Sequence, residues 1–189
     1  LKEDQIKHIL DSYVIHREMP VNRKKRTLGN GKYLLAFGEW SHSHYHWFCN
    51  VIPRLFPIRE LVKDYILLLP DVAYIRDIGL ASLEFFDLNP AGIEFIQERE
   101  LVKAKHLSIV THTCLTGYTN DKVMQEMQRF ILSRLSVPIA KDKIYATRDK
   151  ARYRKMLNEE VILDVVKSNG YSIIRFEDFD WKQQILIAA

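Results

Sequence analysis

From Lys32 onward, apolar runs of strand length alternate with longer stretches that carry apolar residues every three or four positions. Such alternation admits few architectures other than parallel strands joined by helices. Residues 32–37, KYLLAF, read as a short buried strand broken by Gly38. A helix is expected over about residues 43–62, with Pro53 and Pro57 forcing a kink or a restart. A strand at 65–69 is closed by Pro70 and Asp71. The next helix, 72–87, carries Ile75, Ile78, Leu80, Leu83 and Phe86 at mixed three and four spacing and is stopped by Asn89-Pro90. Residues 93–97, 100–105 and 107–111 read as strands, and 122–135 as a helix whose Met124 and Met127 fill core space.

Ser136-Val137-Pro138 reads as a linker, after which the alternation restarts. Residues 143–147 form a strand and 152–168 a helix with Leu157, Val161, Ile162 and Val165 on one stripe. Asn169-Gly170 caps it. A strand at 171–176 follows, and Asp180 to Gln183 resembles a capping box that opens a last helix. The expected fold is therefore α/β: an N-terminal domain over residues 1–138, and over 139–189 a β-α-β-α run that is half of a doubly wound sheet. A half-unit cannot cover both faces of its sheet, so more chain or another surface is expected to complete it, and its open edge favours association.

Nearly half of the 189 residues are hydrophobic, enough for a real core, and no apolar run approaches the roughly 20 residues of a membrane span, so a soluble globular protein is expected. The chain opens on Leu1 with no recognisable targeting segment and is read as a processed or trimmed piece. Cys49 and Cys114 lie in unrelated settings and suggest no disulfide framework, and no Asn-x-Ser/Thr acceptor occurs. A cytoplasmic location follows, with peripheral association at the inner face of the membrane left open.

Three of the seven histidines lie two residues apart in SHSHYHWFCNVIPR, residues 41–54. On a strand, His42, His44 and His46 would share one face, as ligands of a metal should; on a helix they would fan around the axis. The preceding strand, Gly38 and the N-cap candidates Ser41 and Ser43 favour a helix start. Structural or surface roles compete for His42 and His44. His46 precedes Trp47 and Phe48, which can bury one edge of its ring. His106 and His112 are too remote in pattern to join a motif.

Positive charge is concentrated late in the chain, where residues 141–155 hold seven Lys or Arg against Asp142 and Asp149. A strand ending in Thr147-Arg148 that turns into a basic helix start would direct backbone N-H groups and guanidinium forks at one region, which suits a diphosphate. A solvated helix start pairing with Asp149, Glu159 and Glu160 is the alternative. An earlier basic run, residues 22–26, lacks interleaved aromatics and reads as a turn rather than a nucleic-acid surface.

Four segments together, HYHWFCNVIPRL (44–55), YATRDKARYRKMLNE (145–159), the strand entry at Gly170-Tyr171 and the helix with Gln183-Gln184-Ile185, resemble glycosyltransferase family 61. That family includes bacterial polysaccharide enzymes and eukaryotic O-linked N-acetylglucosamine and xylose transferases. The resemblance implies a GT-B arrangement: two Rossmann-like domains facing across a cleft, a sugar nucleotide held mainly by the C-terminal one, and inversion at the anomeric carbon. By the same resemblance His46 matches the family's histidine before the aromatic, and since an inverting transfer needs a base for the acceptor proton it is the candidate, with Glu39 in the same loop as its rival. Arg148, Arg152, Arg154, Asn158 and Glu159 bind the donor, and His44, Trp47 and Arg54 are acceptor-side or structural. The arginines would stabilise the leaving diphosphate, so neither metal nor cofactor is assigned. The chain departs from the pattern by ending at Ala189, before a further strand and a His-Gly-Ala-Gly-like loop, and is read as C-terminally incomplete.

The expected function is inverting transfer of a sugar, hexosyl or pentosyl, from a nucleotide-sugar to a hydroxyl acceptor, in polysaccharide or glycan synthesis. The partners are the nucleotide-sugar and a glycan acceptor, with no nucleic acid. Two alternatives stand beside it: a metal-dependent hydrolase built on His42, His44 and His46, and a non-catalytic binding fragment.

Overall fold

The structure is a computed structural model that describes residues 24–38, 40–98, 100–114, 118–135, 143–150 and 155–188. The chain divides into two compact units, Leu1–Thr119 and Asn120–Ala189. The linker read at residues 136–138 lies outside the described residues, and the helix before it groups with the second unit, not with the first. No helix among the described residues is long and apolar enough to cross a membrane.

The first unit is built on a parallel sheet of four strands, β2 (Lys32–Leu35), β3 (Ile66–Pro70), β4 (Gly92–Ile96) and β6 (His106–Ile109). Their order is β4-β3-β2-β6. Leu67, Leu68 and Leu69 are all buried, so both faces of β3 are covered, and this is why its sequence is a continuous apolar run rather than an alternating one. The chain steps outward from β2 to β3 to β4 and then returns to the other side of β2 as β6, with Leu35 opposite Ile109 in register. That reversal creates a switch point at the carboxyl ends of β2 and β6, where open α/β sheets bind ligands.

β2 and β3 are joined by a helical segment, α1 (residues 44–62), which changes pitch along its length. An α turn at His44–His46 passes into a π turn at Trp47–Val51, then α at Ile52–Leu55, 3-10 at Phe56–Ile58 and α again at Arg59–Val62. Proline explains the widening. Pro53 has no N-H and its ring crowds the carbonyl four residues back, so the preceding turn opens and the Ile52 N-H bonds Trp47 O, five residues away. Trp47, Val51, Ile52, Leu55, Phe56 and Val62 face the core. Between β3 and β4 lies α2 (residues 75–85), π over Ile75–Gly79 and α over Leu80–Phe85. Its Ile75 and Leu83 are buried, and Phe86, fully buried, meets Phe56 edge to face at 6.0 Å.

One expectation is overturned here. The basic stretch read as a turn is a strand, β1 (Lys24–Thr27), parallel to β5 (Glu100–Lys103). Arg26 holds it in place: its Nε donates to Glu100 Oε1 at 2.6 Å, its Nη2 to Phe95 O at 2.7 Å, and its Nη1 pairs with Glu94. The charge of Arg26 is thus neutralised within the fold by two carboxylates that lie some seventy residues away in sequence.

The second unit contains α3 (Asp121–Leu135) and a parallel pair, β7 (Ile144–Ala146) with β8 (Ser172–Ile174), connected by α4 (Glu159–Ser168) and followed by α5 (Trp181–Ala188). Met127 is the buried residue of α3, as read from sequence. α4 ends in a Schellman motif: Gly170 adopts φ 76°, the Tyr171 N-H bonds Val166 O at 3.1 Å and the Gly170 N-H bonds Lys167 O at 3.0 Å. The capping box of α5 is complete, since Asp180 Oδ1 accepts from the N-H groups of Lys182 and Gln183 while Gln183 Oε1 accepts from the Asp180 N-H, each at 2.9 Å. The start and the buried face of α4 differ from expectation. Residues 155–158 are not helical, and the stripe Leu157, Val161, Ile162 and Val165 is exposed, Leu157 at 92 % and Val161 at 65 %. Periodicity located the helix; it did not identify which face is covered.

Candidate active site

The chain leaving β2 reaches the switch point through Ala36, Phe37 and Gly38. The Gly38 N-H donates to Ser41 Oγ at 2.8 Å and the Ser41 N-H returns to Gly38 O at 3.2 Å, closing a tight turn before α1. Ser43 occupies the N-cap position of α1 with no side-chain cap bond, so of the two serines expected to cap, one closes the turn and the other caps only by backbone. His42 is exposed in this turn. Glu39 lies outside the described residues.

His44 and His46 follow on the first helical turn and make different contacts. His44 packs 4.7 Å from the Phe48 ring, and its Nδ1 lies 3.3 Å from the Tyr74 hydroxyl. Burial pushes the His44 imidazole below its ordinary value and the Tyr74 phenol above its own, so both are uncharged at neutral pH. The His46 Nδ1 lies 2.7 Å from the side-chain amide nitrogen of Asn50, one turn on. With that nitrogen donating, neutral His46 carries its proton on Nε2. A half-turn of the amide, which exchanges groups of equal size, presents Oδ1 to Nδ1-H and leaves Nε2 bare. Trp40 and Tyr45 flank the ring at centroid distances of 6.4 and 5.2 Å. The helical start thus separates the imidazoles that a strand would have aligned, and among the described residues no three His, Cys, Asp or Glu side chains gather as metal ligands. Burial also raises the Cys49 thiol, which disfavours the thiolate needed of a nucleophile.

Trp47 and Arg54 hold α1 in place. Trp47 is fully buried; its Nε1 donates to Ser82 Oγ at 2.7 Å, and Ser82 Oγ donates to Gly79 O at 2.7 Å, linking α1 to α2 through one hydroxyl. Arg54 is 7 % exposed and spans the switch point: Nη1 donates to Ala36 O at 2.9 Å, beyond the end of β2, and Nη2 meets the ring of His112, beyond the end of β6, 2.6 Å from Nδ1. Among the described residues its Nε has no hydrogen-bond partner and no carboxylate pairs with it. Burial therefore lowers its pKa from the usual guanidinium value. His112, set aside on sequence pattern, is brought to Arg54 across 58 positions because β6 pairs with β2. Burial and the Arg54 charge both disfavour its protonation.

In the second unit Arg148 follows the carboxyl end of β7. Thr147 is buried, its N-H bonded to Ile174 O at 2.9 Å, and its Oγ1 accepts from the Asp149 N-H at 3.2 Å, turning the chain so that Arg148 is exposed. Asp149 accepts from Arg175, Nε to Oδ1 at 2.9 Å and Nη2 to Oδ2 at 2.6 Å. That pairing holds the Asp149 carboxyl below its ordinary range. Residues 155–158 are not helical, so α4 begins after the basic run and not within it. α4 opens with Glu159 and Glu160, acidic residues suited to a helix N-terminus, and Asn158 stands at the N-cap without a side-chain bond. Glu159 is buried and accepts from the Tyr145 hydroxyl at 3.0 Å, tying α4 to β7. Arg152 and Arg154 lie outside the described residues. The chain holds an Asp-x-Asp, Asp178-Phe179-Asp180, although neither carboxylate is free. Lys150 Nζ donates to Asp178 at 2.6 Å, and Asp180 caps α5.

No curated protein and no solved structure matches the chain. The family model for Glycosyltransferase 61 matches residues 44–189, starting at the first turn of α1 and taking in the whole described part of the second unit. A match over more than three quarters of the sequence settles membership: the chain belongs to the Glycosyltransferase 61 family, whose activity is glycosyl transfer from a sugar donor to an acceptor.

Proposed function

We propose that the protein transfers a sugar with inversion from a nucleotide-sugar to a hydroxyl of a glycan acceptor, within a GT-B arrangement. Inversion in one displacement requires a base for the acceptor proton and positive charge for the departing diphosphate. His46 is the base: with the Asn50 amide turned so that its Oδ1 accepts from Nδ1-H, Nε2 is bare and is the atom that takes the proton. The acceptor hydroxyl gives its proton to Nε2 as its oxygen attacks the anomeric carbon, and the bond to the diphosphate oxygen breaks on the opposite side. Arg148, with Arg152 and Arg154 in the same basic run, takes the charge that develops on the diphosphate.

The observation that carries this reading is the span of the family match, which begins two residues before His46 and includes Arg148. The test is a panel of nucleotide-sugars offered to the intact protein with mixed glycan acceptors, with the anomeric configuration of the product read by NMR. One donor is expected to turn over with inversion. His46→Ala is expected to lower kcat by roughly 100- to 10,000-fold, the range for a lost general base, while Glu39→Gln has a small effect. The opposite ranking of the two variants would move the base to Glu39, and a retained anomeric configuration would discard the single displacement.

A further inference from the structure

Arg26 and Arg175 each turn the Nε–Nη2 edge of the guanidinium to a carboxylate. Arg26 gives it to Glu100, Nε to Oε1 at 2.6 Å and Nη2 to Oε2 at 3.2 Å, and Arg175 gives it to Asp149, at 2.9 and 2.6 Å. This fork is the pairing that suits a guanidinium best. Arg54 departs from it. It is the one buried arginine among the described residues, yet on the same edge its Nε has no partner and its Nη2 meets only the ring of His112. A buried cation without a counter-charge is costly to the fold and marks a place where an anion is missing. Its position indicates what supplies one. The ladder between β2 and β6 ends with the Val110 N-H on Leu35 O at 2.8 Å. Beyond that bond the guanidinium lies between Ala36 O and His112, at the switch point where open parallel sheets receive ligands. His112 is exposed, so its ring can swing into water and bare the edge.

We propose that the Nε–Nη2 edge of Arg54 is an oxyanion site, occupied by His112 until the carboxylate or phosphate of a ligand displaces the ring. Two oxygens of one anion satisfy Nε-H and Nη2-H in parallel, as Glu100 and Asp149 do for the other two arginines, and neutralise the charge at the same time. The displaced imidazole gives up one hydrogen bond and regains water, so the exchange favours the anion. A sugar hydroxyl brings no charge and cannot replace it. The ligand class is therefore a glycan that carries an acidic group, a uronate or a phosphorylated sugar. That this glycan is the acceptor rests on the transferase reading; the anion site itself does not.

The test is calorimetry of the intact protein at neutral pH with glucuronate, inorganic phosphate and, as the uncharged comparison, glucose, with chloride holding the ionic strength constant. Phosphate is titrated into Arg148→Ala, so that binding at the second unit does not enter. Glucuronate is expected to bind at millimolar concentration and glucose not at all. Arg54→Lys, which keeps the charge but not the fork, is expected to weaken the anion roughly tenfold. His112→Ala, which clears the edge, is expected to tighten it roughly threefold. Because His112 is exposed, this second variant tests the site even where Arg54→Lys does not fold. Binding of glucuronate identifies an acidic sugar and binding of phosphate a phosphorylated one; either supports the site if it follows both variants as stated. Failure of both anions to bind, affinity unchanged in Arg54→Lys, or no gain in His112→Ala overturns the proposal. So does binding that emerges only in Glu39→Gln, which would mean that a carboxylate of the chain already holds the edge. If no nucleotide-sugar turns over but anion affinity still follows Arg54 and His112, the transferase reading fails and the anion site stands. If transfer proceeds while neither anion binds, the reverse holds.

Discussion

Asn50 decides which hydrogen-bonding role His46 plays. Its amide can give a hydrogen to Nδ1 or take one from it, and only the second leaves Nε2 free to accept a proton. Asn50→Asp can only accept, so it should keep turnover and move the acidic limb of the pH profile upward, because a carboxylate stabilises the imidazolium. Asn50→Leu, which can do neither, should lower kcat roughly ten- to a hundredfold. Identical profiles for the two variants would remove Asn50 from the mechanism. A second consequence concerns His112, whose protonation is disfavoured in the folded state from an ordinary value of 6.5. A depressed histidine gives up nothing above 6.5; as pH falls below that, the unfolded chain takes up the proton first and the folded state loses relative stability. Thermal midpoints measured from about pH 8 to pH 5 should therefore fall on the acid side, and His112→Gln should flatten that slope. The Arg54–His112 contact was not legible in the sequence, because nothing local ties residues 58 positions apart. His46 was legible, since its partner and its flanking aromatics all lie within six residues of it.

Local chemistry made some elements readable and left others obscure. The caps at Gly170 and Asp180 were legible because each is a contact between neighbours in the chain. They predict measurable losses. Gly170→Ala, at φ 76°, should cost about 1–2 kcal/mol of stability, and Asp180→Ala about 1 kcal/mol, both read from denaturant midpoints. An unchanged midpoint for Gly170→Ala would mean that the end of α4 does not hold the left-handed turn. β1 was misread because its basic sequence describes the side chains, whereas its pairing is decided by Glu94 and Glu100 elsewhere. The start of α4 was placed early because residues 152–158 suit a helix by propensity, while the chain enters the helix only at Glu159. Trp47 carries the most weight in α1. Trp47→Ala removes a fully buried ring and the hydrogen bond to Ser82, a loss on the order of 3–5 kcal/mol that a calorimetric melt would register.

One unit holds the switch point at the ends of β2 and β6 and the other a strand end carrying Arg148; the family match takes in β6 and Arg148 but starts after β2. Strand order was beyond the sequence. Alternating elements specify a parallel sheet, but the return of β6 to the far side of β2 depends on which edge is free to pair, and periodicity carries no trace of that. The central claim is that a nucleotide-sugar is the donor and that its diphosphate is held by Arg148. Calorimetric titration of the intact protein with the nucleoside diphosphates, wild type against Arg148→Ala, tests it most directly. One nucleoside diphosphate should bind the wild type, and the variant should bind it roughly ten- to a hundredfold more weakly, as expected when a charge-assisted hydrogen bond is lost. Equal affinity in the two proteins, or no binding by either, would contradict it.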